Sequence, residues 1–308
     1  ERMKVSQRTR RKIWQNVEGW LSILPVVLGI AIFTALPIIY AFYCSFFDTP
    51  IKPFTFTGLG EFVGLDNYLK NFTVPTYRFL FWQSMKVTFG DALIQGPLTL
   101  VLSFSLALLL NQQLKGMRVF RTLFYLPVLI PAVCSGMLWS RITDPNYGGV
   151  NGLLEGMGLP EMQWFQSEST AMPSLIFVSL FGLGGNMILW LAQLKNVPKA
   201  VYESALLDGA GKARRLFSIT IPLCTPMILY NTVMGIIGVM QTYAQVVTLT
   251  GGAGPNYSLY FFVMNIYDNR VSEFGYSCAL SFILFAIIGA LTFVTMRTSK
   301  WVYYGEEG

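Results

Sequence analysis

The sequence contains no histidine, and only 12% of its 308 residues are Asp, Glu, Lys or Arg. A soluble domain usually carries about 25% charged residues. The missing histidine removes imidazole-based triads, imidazole metal sites and imidazole proton relays. The four cysteines, Cys44, Cys134, Cys224 and Cys278, fall within or beside apolar runs. That placement argues against a disulfide framework or a spaced zinc site. No Gly-x-x-x-x-Gly-Lys-Ser/Thr loop occurs, so the chain carries no such cradle for nucleotide phosphates. What is present is apolar: 53% of residues are hydrophobic, and the mean hydropathy is +0.50. So little polar surface calls for a bilayer as solvent. The net charge is +6, but the basic residues sit between apolar runs rather than in one patch, which speaks against a nucleic-acid partner.

Six apolar stretches are long enough to cross a hydrocarbon core of about 30 Å. They run over Trp20–Phe47, Ser84–Leu114, Val119–Ser140, Pro173–Leu194, Leu223–Leu249 and Tyr276–Met296. The expected fold is an all-α integral membrane protein of about six helices. Arg8, Arg10, Arg11 and Lys12 precede the first run, but that run is far longer than a secretory h-region, so it reads as an uncleaved span. With a cytoplasmic N-terminus, sixteen of the 22 Lys and Arg fall on the inside. This bias places both termini in the cytoplasm. The expected organisation is a cytoplasmic segment 1–19, a transmembrane domain 20–300 and a cytoplasmic tail 301–308.

The connections at roughly 48–83, 141–172 and 250–275 are long and rich in Gly, Pro, Asn and aromatics. On the opposite side, the charged stretch 197–222 differs in character. Pro198 suits a helix's first turn. Tyr202, Ala205 and Leu206 then share a face at helical spacing. Gly209 and Gly211 stop the helix, and a second short helix, Lys212 to Ile219, leads to Pro222. By periodicity this is a hairpin of short amphipathic helices, either lying on lipid or docking onto a partner.

The same stretch resembles the EAA loop of binding-protein-dependent ABC importer permeases. That pattern is Glu-Ala-Ala, three residues, Gly, nine residues, Ile, one residue, Leu-Pro. Here it reads Glu203-Ser204-Ala205, Gly209, Ile219 and Ile221-Pro222, with Ser204 and Ile221 as small departures. Phe62-Val63-Gly64-Leu65-Asp66-Asn67-Tyr68 and Gly149-Val150-Asn151 resemble carbohydrate-importer permeases of the maltose and glycerol-phosphate type. So does Gly251-Gly252-Ala253-Gly254-Pro255, in which a pair is inserted into the usual Gly-Gly-Pro. The long first outer loop resembles the first permease of such pairs.

The resemblance implies the type I importer permease fold in a bacterial-type plasma membrane. It implies a second permease subunit, two ATPase subunits that bind ATP and Mg, and an extracytoplasmic solute-binding protein that delivers a sugar or oligosaccharide. No cofactor and no catalysis are expected in this chain. Carried over, Glu203 is the charge contact to the ATPase and Gly209 the sharp turn. Ser204, Ala205, Asp208 and Ala210 complete the docking surface.

Sugar recognition needs hydrogen-bonding side chains and aromatic platforms at a depth where polar residues are costly. The fourth run offers Gly182, Gly184, Gly185, Asn186 and Trp190, and the fifth Asn231, Gln241, Thr242, Tyr243 and Gln245. Small residues, Asn and Gln also glue membrane helices, so packing competes with substrate contact at each. The resemblance places Gly182 and Gly185 at sugar-contact positions of the maltose-type family, one of them aromatic there. The expected substrate set is Gly182, Gly185, Asn186, Asn231, Gln241, Thr242 and Gln245. Asp91 in the second run stands out as a carboxylate that pairs with Lys86, is hydrated, or marks a polar path. An ion-coupled secondary transporter is the competing reading, with Asp91 alone pointing to it. A membrane-embedded enzyme would need a cluster of Asp/Glu, Ser/Lys or His within spans, and the sequence has none.

Overall fold

Hydrocarbon offers no hydrogen-bond partner to a free N–H or C=O, so apolar runs of this length fold as helices. The computed structural model describes residues 7–48, 60–112 and 114–303. It has one isolated antiparallel bridge, Phe47 to Phe62, and no β-strand among the described residues. Residues 1–6 of the expected N-terminal segment, 49–59 of the first long loop and 304–308 of the expected tail lie outside them.

The chain begins with α1 (Gln7–Ile30), which continues through a π turn (Ala31–Ala35) into α2 (Leu36–Cys44). Pro37 accounts for the wide turn, since its ring displaces the carbonyl four residues back. After α3 (Asp66–Thr73), α4 (Pro75–Leu110) runs for 36 residues. It starts well before the Ser84 boundary expected from hydropathy, because Pro75 takes the first helical position after extended Val74. Pro97 sits inside α4 without ending it.

Glu18–Cys44, Pro75–Leu110 and Phe274–Arg297 are each long and apolar enough to cross a membrane. The other three expected spans are broken. Met117–Leu129 and Ala132–Ile142 meet at 98°, Glu168–Gly182 and Gly184–Asn196 at 46°, and Lys212–Leu223 and Thr225–Met240 at 65°. Taking each bent pair as one span gives six. The sharpest bend has a local cause. Pro131 forces Ile130 out of the helical region, to ψ 123°.

These pairs supply α5 (Met117–Tyr125), α6 (Ala132–Ile142), α8 (Glu168–Ser179) and α9 (Gly184–Asn196), with α7 (Gly149–Gly156) in the loop between α6 and α8. Next come α10 (Lys199–Leu207), α11 (Lys212–Arg215), α12 (Ile221–Leu223) and α13 (Thr225–Met240). The fifth run is expected to continue to Leu249, but α13 ends at Met240 with Gln241 as its cap. Tyr243 leaves helical geometry (φ −153°, ψ −66°), and a separate α14 (Ala244–Thr250) follows. Then come α15 (Phe262–Asn269) and α16 (Phe274–Arg297).

The chain packs as two units. One holds the described residues up to Lys70 with Asn269–Phe282, the other Asn71–Asp268 with those from Ile283 on. In the first unit, buried Asn67 donates to the carbonyls of Ser45 (2.9 Å) and Phe47 (3.0 Å), while Tyr68 and Ser45 share a hydroxyl bond of 2.8 Å. The end of α2 thus finds partners for carbonyls that a helix terminus leaves open. Gly275 lies so close to the Phe47 carbonyl oxygen that a Cβ there would overlap it. Lys70 pairs with Glu273 at 2.9 Å.

In the second unit α4 packs along α9 and α13, and α14 along α6. Gly136 lets Thr248 approach α6, and Gly184 lets the Phe124 carbonyl approach α9; neither position has room for a Cβ. Trp190 is fully buried and donates to Ser103 at 3.0 Å. Arg121 caps the last turn of α4 with two bonds to the Leu110 carbonyl, at 3.0 and 2.6 Å. Asn151 is a second bracket. It donates to the Met162 carbonyl at 3.0 Å and accepts from the Trp164 indole at 2.9 Å.

Candidate functional site

Two places combine the chemistry the sequence points to. The first is α10. Pro198 precedes it in extended geometry, and Asp208 ends it. Gly209 takes φ +73°. Its N–H bonds the Leu206 carbonyl at 3.1 Å, and the Ala210 N–H bonds the Ala205 carbonyl at 2.8 Å. Those paired bonds, with a left-handed glycine after the helix, make a Schellman termination. No atom lies within 4 Å of a Cβ built at Gly209, so only backbone geometry demands glycine there.

The inner face of α10 buries Ala205, and the Tyr202 hydroxyl bonds Thr220 at 2.9 Å. Leu206 does not share that face. It is 55% exposed and its neighbour Leu207 90% exposed. The helix is short, and the break at Gly209 lets the chain turn back under Tyr202 and Ala205 alone. Glu203, Ser204 and Asp208 are exposed with Leu206 and Leu207, and Ala210 is half-buried. Two carboxylates beside two exposed leucines form a short convex surface that nothing among the described residues covers.

The second place is a cavity of about 630 Å³. Its polar lining is Gln95 from α4, Ser135 from α6, Ser179 from α8 and Gln245 from α14. Its apolar lining includes Trp139, Phe181, Val128 and Pro131, and Gly182 opens onto it. The rings of Trp139 and Phe181 lie 4.5 Å apart. The helix breaks create the space, since Pro127, Pro131 and Gly182 all lie at or beside a bend. Pockets of this size hold small polar ligands, with a few polar groups fixing orientation on a largely apolar surface.

Of the expected substrate residues, the cavity brings together Gly182 and Gln245. Gly185 faces the Val128 side chain, 3.6 Å from the position of a Cβ. Asn186 is half-buried. Asn231 is buried and donates to the Met227 carbonyl of its own helix at 2.9 Å. Gln241 is exposed at the end of α13, and Thr242 is half-buried in the break that follows. The residues that sequence reasoning missed are Gln95, Ser135, Trp139, Ser179 and Phe181. Their signal was present but faint: Pro127 and Pro131 mark a bend, and a bend in a span leaves space beside it.

Asp91 is fully buried and forms no ion pair among the described residues. Lys86, a partner for it among the alternatives the sequence left open, is exposed and lines a different recess with Arg78 and Trp82. Five residues turn a helix by about 140°, which carries the two side chains apart.

Residues 99–302 match the family model of the binding-protein-dependent transport system inner membrane component. The chain belongs to this family. The permease is 34% identical over 99% of its length to a probable ABC transporter permease protein, YesP, of Bacillus subtilis, of which it covers 97%. It is 31% identical over 90% of its length to the sulfoquinovosyl glycerol transport system permease protein SmoG of Agrobacterium fabrum, covering 88% of it. It is 29% identical over 92% of its length to the trehalose/maltose transport system permease protein MalF of Thermococcus litoralis, covering 94% of it. Its fold is that of a solved bacterial ABC transporter involved in the import of alginate. The TM-score is 0.76 at 19% identity, over 96% of this chain and 99% of that one. The broken helices of the permease therefore belong to a type I importer fold.

Proposed function

We propose that the permease, with a second permease subunit, forms the pathway of an ATP-driven importer for a sugar or oligosaccharide. An extracytoplasmic solute-binding protein hands over the solute, and two ATPase subunits, which hold ATP and Mg, drive the change of access. The observation that carries the sugar reading is the cavity. Two amides, two hydroxyls and two aromatic rings together line a space of about 630 Å³. That combination suits a polyhydroxylated ring, whose hydroxyls need partners and whose C–H faces stack on aromatics. The sugar-transporting relatives SmoG and MalF support the same class.

The α10 surface is the site of coupling in this reading. Glu203 and Asp208 offer charge to a basic rim of the ATPase, and Leu206 and Leu207 enter its cleft. Gly209 sets the turn that presents them. Both termini and the 197–222 loop lie in the cytoplasm in this reading, which the basic-residue bias supports. Asp91 does not support ion coupling, since none of the residues lining the cavity is ionisable.

Two measurements test this. Vesicles holding both permeases and the ATPase should import the sugar that the binding protein retains, and only with ATP inside. Import by this chain alone, driven by an ion gradient, would contradict the proposal. An impermeant thiol reagent should label a cysteine at Asn256 in sealed cells and leave one at Lys212 unmodified; labelling at 212 overturns the orientation.

A further inference from the structure

Asp91 is the one buried carboxylate of α4, and the transport reading gives it no task. It is 0% exposed. A carboxyl group removed from water is held there by hydrogen bonds to its oxygens or by taking up a proton. Its partner is Gln95, one helical turn on and on the same face of α4. With the amide turned so that its nitrogen meets the carboxylate, Gln95 donates to Asp91 Oδ1 at 3.0 Å and to Oδ2 at 3.1 Å. With Asp91 ionised, the opposite orientation would set amide oxygen against carboxylate oxygens, acceptor against acceptor. Gln95 also lines the cavity.

We propose that Asp91 is a positioning residue that locks the Gln95 amide, so that Gln95 shows the cavity its carbonyl oxygen, an acceptor for a solute hydroxyl. A free glutamine presents a donor or an acceptor simply by flipping its amide. A glutamine whose nitrogen is committed to a carboxylate does not have that choice. The cavity wall at Gln95 therefore accepts from a hydroxyl and rejects a solute that offers only an acceptor at that point, because two facing acceptors leave both unpaired. Specificity at this wall comes from a residue that does not itself line the cavity.

The inference rests on the cavity's being the sugar pathway, and the test separates the two. The whole complex, in vesicles supplied with ATP, is offered a mixture of neutral and acidic di- to pentasaccharides, each followed by mass. Co-purification of the ATPase reports assembly. Gln95→Glu sets two carboxylates against each other and should lower the import rate about tenfold or more, while Gln95→Leu, which adds no charge, should lower it similarly. Asp91→Asn combined with Gln95→Glu reverses the polarity of the pair. The amide introduced at position 91 then donates to the carboxylate introduced at position 95, which keeps an oxygen toward the cavity. Import should return to within about threefold of the unsubstituted chain.

Import by the double variant no better than by Gln95→Glu, or import by Gln95→Leu at the unsubstituted rate, overturns the positioning role. Gly182→Phe fills the cavity and should stop import. Full import by that variant, or import of no sugar by the unsubstituted complex, overturns the pathway reading instead.

Discussion

The brackets at Asn67 and Asn151 and the surface of α10 all come from sequence patterns shared with sugar-importer permeases, yet the asparagines are buried and the polar groups of α10 are exposed. Asn67 and Asn151 are buried and hold loop carbonyls at 2.9 to 3.4 Å. The side chains of Glu203, Ser204 and Asp208 are exposed, and none of the three makes a hydrogen bond among the described residues. A pattern alone does not say whether it builds the protein or meets a partner. Burial separates the two. A buried asparagine bonded to backbone fixes a loop, whereas an exposed carboxylate on a rigid helix of nine residues is free to be read by another molecule.

The comparison breaks most visibly at Gly275. A Cβ there overlaps the Phe47 carbonyl oxygen, which as backbone moves only with its segment. Gly275→Val should cost at least about 4 kcal/mol, the range reached by overpacked cores. The variant should fail to accumulate in the membrane, as read by immunoblot of membrane fractions. Normal accumulation would mean that this contact is not needed.

At α10 the expected outcome is selective. Glu203→Lys should leave insertion intact and weaken ATPase association by about 2–5 kcal/mol, the usual cost of unpairing a buried interfacial charge. Gly209→Val should do the same through backbone strain of about 1–2 kcal/mol at φ +73°. Gly209→Asn should be milder, because asparagine tolerates that region. A helix lying on lipid would show the reverse for Glu203→Lys, since added positive charge strengthens contact with anionic headgroups.

Two smaller effects sharpen the picture. Asn151→Ala leaves the Trp164 indole and the Met162 amide without their shared acceptor. It should lower thermal stability by about 1–3 kcal/mol without altering ATPase association. Gln245→Ala should change sugar uptake more than Gln241→Ala, because Gln245 lines the cavity and Gln241 is exposed at a helix end. Equal effects would move the pathway toward the break at 241–243.

Much of this was legible in the sequence. Apolar length gave six runs, and the pattern from Pro198 to Pro222 placed α10 and its glycine stop within a residue or two. The bends were not legible, because hydropathy averages over them. The run Leu223–Leu249 averages as apolar even though Gln241, Thr242 and Tyr243 at its break are polar. The cavity followed the bends out of sight. Gln95, Ser135 and Ser179 are ordinary polar residues in three separate runs, and only the packing of α4, α6 and α8 gathers them. Trp190 shows the converse. An aromatic in the expected recognition region is fully buried and bonded to Ser103, so it is core.

The measurement that bears most directly on the coupling role of α10 is co-purification of the ATPase with the Glu203→Lys and Gly209→Val variants, alongside sugar-stimulated ATP hydrolysis in the assembled complex. Both variants should reach the membrane at normal levels and lose the ATPase, or keep it with hydrolysis no longer raised by sugar. Normal association together with normal stimulation in both would contradict a coupling role for this surface.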